Sequence, residues 1–313
     1  METMRAVRIH AYGGREVLVY EDAPRPEPEP GEVLISVHAA GINPIDYKIR
    51  AGYAKNWLKH TLPLIPGWDV SGVIEVTADG ASHLEVGGEV YGMLDFRRDG
   101  AYAEYVTAPA AIIARKPTSL DHVQAAAVPL AALAAWQCLF DLAGLSAGQT
   151  ILVHGAAGGV GHFVVQFAKW KGAKVIGTAA ARDADFVREL GADEVIDYQA
   201  QRFEQAVGDV DVVFDPIGGE LQRLSWQVLR KGGVLVSTTS ISSPEVAAEF
   251  DVRGEELSVR PDGTELTAIA ELIDEGRIKP AVTAVFPLAE AAKAHALLES
   301  GQARGKVVLR VRD

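Results

Sequence analysis

The chain of 313 residues has a single cysteine, Cys138. An internal disulfide is therefore impossible, and so is a zinc site built from several thiolates. Basic residues are also few: 30 Lys and Arg against 42 Asp and Glu leave a net charge of −12. Without a basic face nothing can displace counterions from a phosphate backbone or an anionic lipid surface, so no nucleic-acid or membrane partner is expected. Long apolar runs are missing as well. The longest, Ala125 to Trp136, is too short to cross a bilayer and contains Pro129. Arg5–Ile9 already alternates as a strand does, which is not a signal-peptide layout, and a reducing cytoplasm is the simplest compartment for such a chain. The eight histidines (His10, His38, His60, His83, His122, His154, His162 and His295) fall in no metal-ligand spacing, so structural or surface roles are expected of each.

What is present centres on Ile151-Leu152-Val153-His154-Gly155-Ala156-Ala157-Gly158-Gly159-Val160-Gly161. An apolar strand runs into a glycine turn, a helix starts near His162, and a second apolar strand follows at Lys174–Thr178. Glycine suits a sharp strand-to-helix turn, the approach of a pyrophosphate to bare N–H groups, and close packing of helix on strand. In this context the spacing reads as a dinucleotide-binding unit, with Gly158, Gly159, Val160 and Gly161 at the phosphates.

Residues up to about 118 read as β-rich, with alternating runs at Val33–His38, Val70–Val76, Glu89–Met93 and Ala103–Thr107. Ser119 or Asp121 can cap a helix starting at His122, Pro129 interrupts it, and a second helical stretch covers Ala131–Ala143. Strands are then expected at Ile151–His154, Lys174–Thr178, Glu194–Asp197, Val210–Phe214, Val234–Thr238 and Leu257–Arg260. Helices at Asp183–Leu190 and Gly219–Leu229 lie among them. Short all-apolar strands fit a parallel sheet covered on both faces. Helices at Glu265–Glu275 and Leu288–Ser300 and a last strand, Val307–Val311, return to the first domain.

A β-rich front, a central nucleotide fold and a short return resemble the medium-chain dehydrogenase/reductase superfamily over essentially the whole chain. Matching stretches point to its zinc-free, quinone-oxidoreductase-like (zeta-crystallin-type) branch: Ala40–Asp46, Pro66–Gly72, Gly100–Tyr105, His154–Gly161 and Lys306–Leu309. The resemblance implies an α/β fold, a Rossmann doubly wound parallel sheet at 120–262 with a GroES-like catalytic domain at 1–119 and 263–313. In the zinc-dependent relatives a cysteine, a histidine and a second cysteine hold the metal; Asn43, Trp68 and Leu130 fall at or near those positions here. No zinc is therefore expected, and no flavin.

NAD-selective folds usually carry an acidic residue at the end of the second strand. Here that end runs Thr178-Ala179-Ala180-Ala181, then Arg182. Arg182 can pair with a 2′-phosphate, which predicts NADPH; the alternative is a solvated loop charge. Asp215 lies at the carboxyl end of the fourth strand and either meets the cofactor or caps the next helix. By resemblance, Tyr198 flanks the adenosine phosphate, Ser240 approaches the nicotinamide, and Thr178 and Lys306 complete the cofactor-binding set.

Without a Lewis acid to polarise oxygen, the hydride acceptor should be intrinsically easy to reduce, such as a quinone or an α,β-unsaturated carbonyl. Candidate catalytic groups are Asn43, which can hydrogen-bond cofactor or acceptor, and Lys48 and Tyr53, which could stabilise an enolate or supply a proton. Asp46 is expected to brace this loop, and Trp68 to fill the volume of the lost metal site or to wall the pocket. The expected activity is NADPH-dependent, zinc-independent reduction of a small electrophilic quinone or enone by a cytoplasmic homodimer. The alternatives are a crystallin-like nucleotide-binding protein without turnover and, against the missing ligands, a zinc alcohol dehydrogenase.

Overall fold

A computed structural model of the protein describes residues 2–81, 84–242 and 244–312. His83 lies outside the described residues. The chain divides into two compact units, residues 1–130, 261–276 and 280–313 in one, 131–260 and 277–279 in the other. The first unit thus runs on to Leu130 rather than stopping at 119. The reason is the helix His122–Ala126, capped by Asp121 through the Gln124 N–H at 2.7 Å. Its Ala126 and the following Ala127 pack on Ala39 and Val308 of that unit's sheet.

The second unit holds six parallel strands in the order Glu194–Asp197, Lys174–Ala179, Thr150–Val153, Val210–Asp215, Leu229–Ser237, Arg253–Glu256. The first of these in the chain, Thr150–Val153, sits in the middle, and the chain winds outward to one side and then to the other. That reversal marks the switch point where α/β sheets bind ligands, at the carboxyl ends of their strands. Ile151, Leu152, Val153, Val212, Val213 and Phe214 are buried, as strands covered on both faces require. The expected sixth strand at Leu257–Arg260 is corrected to Arg253–Glu256. The chain leaves helix Pro244–Glu249 and rejoins the sheet at Arg253. At an edge, a half-exposed charged segment serves as well as an apolar one.

In the first unit a mostly antiparallel sheet runs Val282–Pro287, Lys306–Arg310, Glu32–Ile42, Asp69–Thr77, Glu89–Met93, Ile113–Arg115, and Tyr105–Pro109 also pairs with Glu32–Ile42. The final strand does rejoin this sheet. Its partner Val282–Pro287, parallel to it, was not expected from the sequence. Two registers bring residues distant in the chain side by side. Val307 pairs with Ile42, which sets Lys306 against Asn43, and Gly41 pairs with Asp69.

Candidate active site

In the second unit, the turn after Thr150–Val153 starts with Gly155 at φ +60°, a left-handed conformation that costs glycine little. A Cβ on Gly161 would lie 2.1 Å from the Gly155 carbonyl oxygen, so the helix Gly161–Trp170 can start this close to the strand only with glycine. Among the described residues, nothing accepts the backbone N–H groups of Gly159, Val160 or Gly161. Three bare donors at the positive end of a ten-residue helix suit an anionic phosphate group. The turn is half-buried, so its backbone is reachable.

The other residues expected at the cofactor follow the ends of neighbouring strands, on the same edge of the sheet. Arg182 comes after Lys174–Ala179, its side chain 65% exposed and, among the described residues, held only by a 3.5 Å contact with Asp183. Tyr198 comes after Glu194–Asp197, and its backbone N–H reaches the Ala179 carbonyl at 3.3 Å, which tethers it near the same strand end. Ser240 is exposed, with Oγ 3.5 Å from Glu256.

Two members of the set are corrected. Asp215 is fully buried, and its carboxylate accepts from the N–H groups of Ile217 and Gly218 and from Gln222 Nε2 at 2.9 Å. Its oxygens are committed to shaping the turn before helix Gly219–Ser225, which has Gly218 at its cap and no side-chain cap bond, so Asp215 neither caps that helix nor keeps an oxygen for the cofactor. Thr178 is buried too, its hydroxyl 3.2 Å from His154 Nδ1. His154 also meets Ser225 Oγ at 3.0 Å, and burial holds its pKa down to about 4, so it is a neutral core histidine.

The first unit holds a different arrangement, a buried polar network around Asn43. Helix Pro44–Arg50 starts with proline at its first position, where the missing N–H costs nothing. Asn43 precedes it, and its own N–H is taken by Asp46 Oδ2 at 2.8 Å. The Asn43 side chain points elsewhere: Nδ2 donates to Asp69 Oδ2 at 2.8 Å, and Oδ1 accepts from Lys306 Nζ. Lys306 also pairs with Asp69 Oδ2 at 3.1 Å, and Asp69 Oδ1 accepts the Leu130 N–H at 2.7 Å. All three side chains are buried. Lys306 is therefore corrected as well. Its ammonium is paired inside this unit and is not available to a cofactor phosphate.

A second branch leads from Asp46. Arg50 Nη1 lies 2.9 Å from His295 Nδ1, and His295 Nε2 lies 3.1 Å from Tyr102 Oη, which lies 2.9 Å from Asp46 Oδ2. Arginine can only donate, so Nδ1 of a neutral His295 is the acceptor and Nε2 carries the proton. The donors then point one way, from Arg50 through His295 and Tyr102 to Asp46. Burial, with Arg50 and Arg15 beyond it, holds the His295 pKa down to about 3. Burial also pushes the Asp46 carboxyl up to about 7, against the hydrogen bonds from Asn43 and Tyr102. Its Oδ1 has no partner among the described residues. The sequence reading of Asp46 as a brace was right in kind, but the brace reaches much further than its own loop.

Lys48 and Tyr53, expected as catalytic groups, are not drawn into this network. Lys48 is exposed, Tyr53 is 75% exposed, and no side-chain hydrogen bond ties either to Asn43, Asp69 or Lys306. Trp68 is fully buried, donates from Nε1 to the Arg98 carbonyl at 3.1 Å, and stands edge-on to Phe96 at 5.7 Å. It fills space, as one of its two alternatives proposed.

These residues do not fit a catalytic zinc ion. An amide, an indole and an aliphatic side chain stand at the aligned ligand positions, and the Lys306 ammonium already pairs the Asp69 carboxylate beside Asn43, so it would repel a second cation. Among the described residues, no group of three or more His, Cys, Asp or Glu is placed to hold a metal. The glycine turn does fit a nucleotide phosphate, by its three bare donors.

Comparison with known proteins places these features. The alcohol dehydrogenase GroES-like domain family matches residues 29–118, and the zinc-binding dehydrogenase family matches residues 190–309. An NADPH-dependent alkenal/one oxidoreductase of Arabidopsis thaliana is 36% identical, over 98% of this chain and 79% of that protein. A quinone oxidoreductase of Rattus norvegicus is 33% identical, over 98% of this chain and 97% of its own length. The solved quinone oxidoreductase of Coxiella burnetii superposes with a TM-score of 0.93 at 36% identity, covering 99% of this chain and 100% of that one. The chain is an oxidoreductase and belongs to the medium-chain dehydrogenase/reductase superfamily, in its quinone-oxidoreductase-like branch.

Proposed function

We propose that the protein reduces quinones or α,β-unsaturated carbonyls with NADPH, with no zinc and no flavin. The observation that carries the reading is the row of bare N–H groups at Gly159–Gly161, with Arg182 past the end of the adjacent strand and no carboxylate on that strand. The turn would hold the pyrophosphate and Arg182 the 2′-phosphate, with Tyr198 and Ser240 on the same sheet edge. When bound, reduced nicotinamide supplies a hydride. The acceptor gains that hydride and one proton, and becomes a saturated carbonyl or a hydroquinone.

The donor set of the first unit favours this acceptor class. Asn43 and its buried partners offer hydrogen bonds and one fixed cation, not a Lewis acid, and a delocalised enolate or hydroquinone anion needs no stronger help. The proposal extends to a homodimer, through the edge strand Arg253–Glu256, and to a cytoplasmic setting. No helix among the described residues is long and apolar enough to cross a membrane.

Purified protein stripped of metal by a chelator should oxidise NADPH when given a quinone or an alkenal. Activity that appears only on adding zinc would overturn the reading, as would equal affinity for NADH and NADPH. NADPH binding with no turnover across both acceptor classes would favour the crystallin-like alternative.

A further inference from the structure

We infer that Lys306 is a positioning residue for acceptor reduction, acting through Asn43; this rests on the proposed reductase reading. Its ammonium donates to Asn43 Oδ1, and Asp69 takes one Asn43 Nδ2 proton at 2.8 Å. Between a cation and an anion the amide has only one orientation that satisfies both ends, so its flip is fixed. The second Nδ2–H has no acceptor among the described residues. That N–H is the group left to meet an acceptor oxygen.

The ammonium does more than set direction. A donor on the amide oxygen draws electron density from the nitrogen, so the free N–H becomes a stronger donor in a low-dielectric surrounding. Hydride arriving at the β-carbon of an enone moves an electron pair onto the carbonyl oxygen, and the enolate then takes a proton from water at the α-carbon. A polarised N–H aimed at that oxygen acts where charge develops. The β-rich unit thus couples a buried fixed cation to the acceptor oxygen through one side-chain amide. Asp69 anchors the assembly: its other oxygen is tied to the Leu130 backbone at 2.7 Å, and the Val307–Ile42 pairing carries Lys306 to it.

The test uses the full-length protein, after the wild type has been shown to turn over a quinone or an alkenal; failure there counts against the reductase reading, not against this inference. The paired change Asp69→Asn with Lys306→Met removes both charges together and avoids stranding either. It should lower kcat about tenfold or more, the scale seen when a group that orients a site ligand is lost, and leave KM for NADPH within about twofold. In an Asn43→Ala background the same pair should lower kcat no further, because its effect passes through the amide. Wild-type kcat in the paired variant, an equal loss in both backgrounds, or a raised KM for NADPH as the main effect would each overturn the inference. Should the paired variant fail to fold in a thermal melt, the wild-type protein supplies a second readout. Phenolate, a stand-in for the anionic product, should shift one of the two Asn43 Nδ2–H proton resonances downfield, and an unmoved pair would overturn the assignment.

Discussion

The two units build their candidate sites in opposite ways. In the parallel-sheet unit the features proposed to hold phosphate are backbone groups within one turn, Gly155 to Gly161, with Arg182 and Tyr198 set by strands that neighbour it in the sheet. In the β-rich unit every group is a side chain, and the partners lie far apart: Asn43 and Lys306 are 263 positions from one another. The first arrangement leaves bare donors open to a ligand. The second satisfies nearly all its donors internally and leaves few to spare. Sequence change should therefore act on nucleotide binding in one unit, and on stability and turnover in the other.

The sharpest break in that contrast is Lys306→Met alone. It leaves the fully buried Asp69 carboxylate without its cation, which should cost about 3–5 kcal/mol of stability, read as a lower midpoint in urea. The paired change with Asp69→Asn should recover most of it. A fully stable single variant would mean that the network is not under the electrostatic load described.

Next in size is the pH dependence set by Asp46. Burial raises its folded pKa from 3.8 to about 7, so the folded state binds the proton more tightly than the unfolded chain does. The stability that this proton contributes is complete below about pH 4 and is lost as the pH rises towards 7. Asp46→Asn removes the titration. The stability of the wild type relative to the variant should fall across that window, at up to about 1.4 kcal/mol per pH unit. Urea midpoints of both proteins at several pH values measure it; parallel curves would show that Asp46 ionises freely. His122, His154 and His295, with folded values held down to about 4, 4 and 3, act in the opposite sense, losing stability as the pH falls, but they do so equally in both proteins.

Arg182→Ala turns from stability to binding. It should weaken NADPH about tenfold or somewhat more, as a lost charge-assisted pair does, and leave NADH unchanged. Fluorescence titration of both nucleotides distinguishes this from a general loss. Little change in stability should accompany it, since the side chain is 65% exposed.

The same contrast explains what could be read in advance. The strand, glycine turn and helix at Thr150–Trp170 stand out because their signal is local, a few adjacent residues each constrained by its own backbone. Arg182 draws notice for the same local reason, as the first charge past the end of Lys174–Ala179. Lys306 was not legible. Its motif pointed to a cofactor, and only the pairing of Lys306–Arg310 with Glu32–Ile42 brings it to Asn43 and Asp69. The Arg50–His295–Tyr102–Asp46 chain was equally hidden, since His295 carries no neighbouring signal and its meaning depends on which ring nitrogen faces an arginine. The edge strand was misplaced because edges tolerate charged residues, so Leu257–Arg260 outcompeted Arg253–Glu256 on apolar content alone. Asp215 shows the limit of position as evidence: it does end a strand at the ligand edge, yet its oxygens are used up by Ile217, Gly218 and Gln222.

The smallest effect should come from the exposed face beside the network. Lys48 follows Asn43 by five positions and Tyr53 by ten, so sequence proximity alone makes both attractive as proton donors. The helix Pro44–Arg50 separates them from the buried network instead: its inward residues are Asp46, Ile49 and Arg50, and Lys48 and Tyr53 stand in solvent. Surface changes away from caps and pairs usually alter stability by less than about 0.5 kcal/mol, so Lys48→Met and Tyr53→Phe should both melt like the wild type. With the proton taken from water, kcat should also stay within about twofold in each. A large fall in kcat for either, with an unchanged melt, would make that side chain the proton donor in place of water.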